Sequence, residues 1–127
     1  MDVDSNLVKE MDIPLPGMPM LHAMSLTKNY IVIFDLPVTV SSMALGTGAS
    51  CRFRWDNNHE ARVGLMPRNG TDKDVVLSSI SQNYAYHLMN TYEDEDGQIV
   101  VDICRYEKMF AADTNGPFGD SLPRLDR

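Results

Sequence analysis

Long hydrophobic runs, basic charge and cysteine are all scarce in this sequence of 127 residues. The longest apolar runs, such as residues 30–34, are far shorter than the roughly 20 residues that a membrane-spanning helix needs. The chain also does not open with the basic and then apolar segment of a secretory signal. The 11 Lys and Arg stand against 18 Asp and Glu, and the net charge of −7 argues against a surface for nucleic-acid phosphates. Two cysteines do not make a disulfide framework. We therefore expect a cytoplasmic protein that binds no nucleic acid.

Helical periodicity is missing as well. No long window keeps a 3.6-residue apolar period without Gly or Pro, so we expect an all-β chain of antiparallel strands with little or no helix. Residues 1–20 contain three closely spaced prolines, which exclude a helix or a central strand and predict an irregular lead-in packed over other structure. Residues 30–36 are almost wholly apolar, which predicts a strand covered on both faces.

Two similar segments, each with a histidine two residues before a methionine, lie 65 residues apart (87 − 22 = 65). We expect His22 and His87 each to open a strand that is followed by a hairpin. Because the two residues share one position in a repeat, their imidazoles can point to one place. Imidazole is the commonest side-chain ligand for transition metals, so the spacing suggests a metal held between repeats.

The strand pattern predicts propeller blades. Four antiparallel strands are expected near residues 22–27, 30–36, 61–66 and 74–80, before the histidine pattern restarts at residue 86. Four strands per unit, with units in series, are typical of a β-propeller, whose innermost strands line a central axis. We assign residues 1–20 to the lead-in, 21–85 to one blade, and 86–127 to the first half of the next blade and the start of a following connection. About one and a half blades cannot close a ring that needs at least about four, so we expect part of a longer polypeptide.

Three segments resemble a known family in the same order along the chain. They are His22-x-x-x-Leu26-Thr27-x-Asn29-Tyr30 with Phe34-Asp35-Leu36-Pro37, Arg54-Trp55-Asp56 with residues 62–68, and Tyr86-His87-x-x-Asn90-x-Tyr92-Glu93-Asp94 with residues 99–106. Residues 122–127 also resemble the start of the next strand in bacterial members. This pattern is similar to that of the carotenoid cleavage oxygenases, which include the lignostilbene dioxygenases and the retinoid isomerohydrolase of the eye.

The resemblance implies a seven-bladed propeller with iron(II), Fe²⁺, held on its axis by four histidines. Two of these ligands carry over to His22 and His87. The other two, and the glutamates that hydrogen-bond the ligand imidazoles, match nothing in this chain. The implied reaction is oxidative cleavage by O₂ of a conjugated C=C bond in a carotenoid, apocarotenoid or stilbene, to give carbonyl products. Neutral imidazoles suit iron(II) because they add no charge and leave open positions on a six-coordinate ion.

Other residues have simpler interpretations. His59, in an Asp-Asn-Asn-His-Glu turn, is expected at the surface, and the acidic residues 93–96 at a solvated hairpin tip, because they lack the spacing of a calcium loop. Both Cys51 and Cys104 are expected as buried reduced thiols, and Trp55 between strands. The nine methionines could line a polyene tunnel or simply pack a core. Residues 43–45 lie where some family members carry a membrane-dipping loop, which leaves open a weak peripheral contact with a membrane.

Two function classes remain. The first is a part of an iron oxygenase that does not turn over by itself, because two imidazoles make an undersized site. The second is a stand-alone β-rich interaction module without catalysis, against which the exposed edge strands argue. Slow hydrogen exchange throughout the isolated chain would favour the module.

Overall fold

Three antiparallel sheets make up the described part of the chain. The computed structural model describes residues 4–7, 9–42, 52–110 and 124–127. The strands in these ranges are β1 (Met24–Leu26), β2 (Tyr30–Asp35), β3 (Val38–Val40), β4 (Phe53–Trp55), β5 (Arg62–Pro67), β6 (Val76–Ser79), β7 (Tyr84–Glu93), β8 (Ile99–Tyr106) and β9 (Arg124–Asp126), with a 3-10 turn at Asp72–Asp74. No helix in the described part of the chain is long and apolar enough to cross a membrane. The predictions for Cys51, for residues 43–45 and for most of the tail fall outside the described residues.

The first sheet has four strands in the order β1-β2-β5-β6, all antiparallel. These are the four segments predicted from the sequence, with ends shifted by up to two residues. β2 is central and its last four residues are buried, as its apolar, β-branched sequence predicts. β6 is the opposite case, because all four of its residues are exposed at the edge of the sheet.

A two-stranded sheet of β3 and β4 was not predicted. Val38 pairs with Trp55 and Val40 with Phe53, a pairing for which the sequence analysis gave no signal. Pro37 does end β2, but the chain resumes extended structure one residue later. The last residues of the lead-in add to this ribbon through an antiparallel bridge from Pro19 to Thr39, whereas most of the described residues between 4 and 17 are exposed.

The second unit contains β7, β8 and β9. β7 and β8 form the predicted hairpin, and Gly97 turns it with a φ of 76°. The Oδ1 atom of Asp94 accepts the backbone N–H groups of Asp96 and Gln98, so this acidic side chain stabilises the turn itself. β9 pairs with β8. The loop-like composition of the tail was therefore misleading at Arg124–Asp126, where the family resemblance correctly implied a strand.

β7 carries two β-bulges. Ala85 pairs with Arg105 and Asn90 pairs with Asp102, so five steps along β7 match three steps along β8. One extra residue lies between Ala85 and Leu88, and the other between Leu88 and Asn90. Each bulge interrupts the alternation of side chains and bends the strand. The face that a β7 side chain occupies therefore cannot be read from odd and even numbering.

The core lies between the first sheet and the β7-β8-β9 sheet. Val32 and Phe34 of β2 pack there with Tyr84 of β7 and with the half-buried Trp55, which confirms the prediction for that tryptophan. Tyr84 is fully buried, and its hydroxyl donates to the carbonyl oxygen of Met20 at 3.2 Å. Burial raises the pKa of Tyr84, and the adjacent Tyr86 raises it further. The tyrosine thus serves as a neutral donor that ties the lead-in to the second unit.

Three hydrogen-bonded contacts join the start of the first unit to β7 at one constant offset. They connect Met20 with Tyr84, His22 with Tyr86, and Asn29 with Glu93, and each pair is 64 residues apart. Residues 20–29 and 84–93 therefore run side by side in the same direction. β1 and β7 belong to different sheets, so these contacts are side-chain bridges and not a β-ladder.

Candidate metal centre

His22 lies two residues before β1, in the exposed approach to that strand. Its Nδ1 atom is 2.9 Å from the backbone carbonyl oxygen of Tyr86. A carbonyl oxygen can only accept, so Nδ1–H must donate, and the lone pair of the neutral ring is left on Nε2. The ring of Tyr86 also meets the imidazole edge-on at a centroid distance of 5.0 Å. His22 is thus held in one tautomer with its second nitrogen available as a ligand.

His87 is the fourth residue of β7, beside the first bulge. Its ring centroid lies 5.2 Å from that of His22, with the two ring planes at 68°. Two imidazoles on neighbouring positions of one metal ion, bound at about 2.1 Å, have centroids roughly 4.6–5.3 Å apart. The observed separation fits a shared ion.

The two histidines were predicted to meet, and they do. The prediction that each one opens a strand was wrong, since β1 starts after His22 and β7 starts before His87. In the structure, His22 lies beside Tyr86, which is 64 residues later, whereas the two similar sequence segments are 65 residues apart.

Further ligands are not found nearby. Among the described residues, no three His, Cys, Asp or Glu side chains form a group that could hold a metal ion. For His22 the carbonyl of Tyr86 takes the orienting role that carboxylates often have at metal sites. Sequence reasoning missed this acceptor because a backbone carbonyl leaves no signal in residue identity.

His59 was predicted at the surface, and this was wrong. It is buried, and its Nε2 atom lies 2.6 Å from Oδ1 of the fully buried Asp35. The other oxygen of that carboxylate, Oδ2, accepts two hydrogen bonds from Arg62, at 2.6 and 3.1 Å. The turn that contains His59 packs against the end of β2, because a buried Asp35 requires hydrogen-bond donors for both of its carboxylate oxygens. This cluster of Asp35, His59 and Arg62 is structural and uses a histidine that is not part of the metal pair.

The described methionines differ widely in burial. Met66 and Met109 are fully buried, whereas Met18, Met24 and Met89 are more than half exposed. Met24 lines a small cavity beside His22. Cys104 is a free thiol whose sulfur lies 3.4 Å from that of Met89. It is half-buried, whereas the sequence analysis expected it to be buried.

We predict opposite tautomers for two histidines of this chain. His22 is expected to carry its proton on Nδ1, because its partner is a carbonyl oxygen, and His59 on Nε2, because its partner is a carboxylate. Two-bond ¹⁵N–¹H correlation spectra above the titration range of the histidines distinguish the two forms. Protonation of His22 on Nε2 in the neutral ring would contradict the contact with Tyr86.

Comparison with known proteins gives a consistent result. Residues 1–124 match the sequence profile of the retinal pigment epithelial membrane protein family. A carotenoid cleavage oxygenase from Mycobacterium tuberculosis is 36% identical over 98% of this chain and 33% of its own length. A carotenoid 9,10(9',10')-cleavage dioxygenase from Crocus sativus is 27% identical over 87% of this chain and 20% of its own length.

The fold has solved counterparts. The crystal structure of Pseudomonas brassicacearum lignostilbene dioxygenase superposes with a TM-score of 0.79 and 27% identity, covering 96% of this chain and 26% of that protein. The all-β, antiparallel fold expected from the sequence, part of a seven-bladed propeller, is confirmed. The chain spans about a third or less of the length of these relatives.

Proposed function

Because the chain belongs to the retinal pigment epithelial membrane protein family, we propose that it forms part of a non-haem iron(II) dioxygenase and supplies two of the iron ligands, His22 and His87. The proposed reaction is oxidative cleavage of a conjugated C=C bond, to give two carbonyl products. The substrate class follows the relatives, which are named for carotenoid, apocarotenoid and lignostilbene oxygenases. Substrate and O₂ are the partners that this reaction requires.

The observation that carries the proposal is the contact between the two imidazoles. They come from two different units of the fold, 65 residues apart in sequence, and their centroids are 5.2 Å apart. Two neutral rings can also pack at this distance without a metal ion. The tautomer of His22 supports metal binding specifically. Its Nδ1–H is committed to Tyr86, so the remaining nitrogen has the lone pair that a metal needs.

The chain's own residues would orient ligands and not perform proton transfer. Tyr86 holds the His22 ring through its carbonyl oxygen and supports it edge-on through its phenol ring. The first bulge in β7 lies beside His87, whose ring centroid is 5.2 Å from that of His22. When bound, iron(II) supplies the redox chemistry with O₂ that no protein side chain provides.

Exposed apolar side chains support a larger assembly over a stand-alone module. Met24 and Leu26 of β1, Val76 of β6 and Leu125 of β9 are each at least 54% exposed. They lie on different strands of both larger sheets, and apolar side chains exposed on packed sheets mark surfaces that other structure covers. In the proposed enzyme, further blades of the propeller would cover them.

Product analysis of the complete reading frame that contains this chain tests the proposal. The purified, iron-loaded protein is incubated in air with an apocarotenoid and, separately, with a hydroxystilbene. We expect O₂-dependent formation of two carbonyl fragments from at least one of them, and loss of that activity after chelation of the metal. An iron-loaded protein that cleaves neither class would argue against the proposed reaction.

A further inference from the structure

We infer that Glu93 and Asn29 form a clamp that positions the two imidazoles, by fixing the alignment of residues 20–29 against β7. The inference rests on the proposed function, because it concerns the geometry of the proposed metal pair. Glu93 touches neither histidine, so it is a positioning residue. The contact lies at the far end of the paired segments, six residues beyond His87 and seven beyond His22.

The clamp consists of two hydrogen bonds between Asn29 and Glu93. Oε1 of Glu93 accepts the backbone N–H of Asn29 and Oε2 accepts its side-chain amide, both at 2.7 Å. Two parallel hydrogen bonds to one carboxylate fix orientation as well as distance. Hydrogen bonds from Thr27 and from both donors of Asn29, together with the charge of Lys28, lower the pKa of Glu93. The carboxylate therefore stays ionised, as the two hydrogen bonds require.

The paired segments depend on Glu93 at that end, because in the described part of the chain the hydrogen bonds that join it to β7, from Asn29 and Thr27, all end on this side chain. β1 has only three residues and contributes no backbone ladder to β7. β7 has two bulges between Ala85 and Asn90, which make its path sensitive to tension along the strand. Tyr84 and Tyr86 hold the end near the histidines through single hydrogen bonds. With one end fixed and the other free, β7 could slide or twist relative to β1, and the 5.2 Å separation of the rings would not be maintained.

The test is made on the 127-residue chain with Glu93→Gln, and with Glu95→Gln as the matched control. Both variants remove one negative charge from the same hairpin region, but Glu95 lies at the exposed tip. Glutamine keeps the length of the side chain and places an NH₂ donor where Asn29 also donates. We expect the affinity for Co(II) to fall about tenfold in Glu93→Gln, as is usual for residues that orient ligands, and to stay unchanged in Glu95→Gln.

A metal-independent measurement separates this inference from the proposed function. In the metal-free chain, a nuclear Overhauser contact between the rings of His22 and His87 is expected in the unaltered protein and in Glu95→Gln, and is expected to weaken in Glu93→Gln. If the ring contact and the Co(II) affinity are both unchanged in Glu93→Gln, the clamp is not a positioning device. If Co(II) binding by the unaltered chain proves independent of the histidines, the proposed metal pair fails, while the ring contact still tests the clamp.

Asn29→Ala covers the case in which Glu93→Gln does not fold. This substitution removes the side-chain hydrogen bond to Glu93 and leaves the hydrogen bond from the backbone N–H. A smaller loss of Co(II) affinity and a partial loss of the ring contact are expected. Circular dichroism and the urea midpoint show whether the fold is retained. If the Asn29→Ala chain is folded and keeps both the Co(II) affinity and the ring contact of the unaltered protein, the clamp is not a positioning device.

Discussion

Replacement of either His22 or His87 with alanine is expected to reduce the affinity of the chain for Co(II) by about 100-fold, at the upper end of the 10–100-fold cost of losing a residue that only orients a ligand. Co(II) replaces iron(II) in this measurement because it binds nitrogen ligands more tightly and is stable in air. Each variant leaves a single imidazole, and a single imidazole does not chelate. Isothermal titration calorimetry on the 127-residue chain measures the change, and the iron content of the complete reading frame gives an independent value.

A neighbouring substitution controls for general effects on the site. Met24→Ala alters an exposed residue that lines the same small cavity as His22, but removes no nitrogen. Its Co(II) affinity is expected to match that of the unaltered chain. The double variant His22→Ala/His87→Ala is expected to bind Co(II) about as weakly as either single variant, because each single change already removes the two-imidazole chelate. Retention of iron and of activity in both single variants would remove these residues from the metal site.

Asp35→Ala is expected to lower the free energy of unfolding by about 3–5 kcal/mol, because it leaves a partly buried guanidinium and a buried ring N–H without their acceptor. Asp35 has no exposed surface, and both of its oxygens are occupied by His59 and Arg62 at distances as short as 2.6 Å. Domains of this size are stable by about 5–15 kcal/mol, so the loss is a large fraction of the total. Urea denaturation monitored by the fluorescence of Trp55 measures it.

Two further variants make the stability result specific. Asp12→Ala removes a carboxylate from the exposed lead-in and is expected to change the unfolding free energy by less than about 0.5 kcal/mol. Asp35→Asn keeps the shape of the side chain and one acceptor oxygen, so its effect should fall between those of the other two. An Asp35→Ala protein as stable as Asp12→Ala would show that the buried cluster contributes little to the fold.

The buried cluster also shows where reasoning from sequence went wrong. Asp-Asn-Asn-His-Glu has the composition of an exposed turn, and no property of His59 by itself predicts burial. The partner that draws it inward lies 24 residues earlier, at the end of β2. Asp35 is the one charged residue in an otherwise apolar run, and only the folded chain shows that its carboxylate is enclosed together with two partners.

Local sequence determined the strands and the repeat. The apolar run of β2 and the Asp96-Gly97 turn each favour one conformation over a few residues, so their structures were predictable. The 65-residue spacing of His22 and His87 likewise follows from two similar units and needs no coordinates to be noticed. Family resemblance then predicted the type of fold, and it implied iron as the metal of the proposed site.

Tertiary structure alone decided how these parts meet. The bulges of β7 depend on its register with β8. The carbonyl of Tyr86 that selects the tautomer of His22, and the pairing of Glu93 with Asn29, depend on contacts between residues 64 apart. Such contacts form because buried or converging polar groups must find partners in the assembled fold. Residue types show what could bind a metal, and packing decides whether two rings stand 5.2 Å apart.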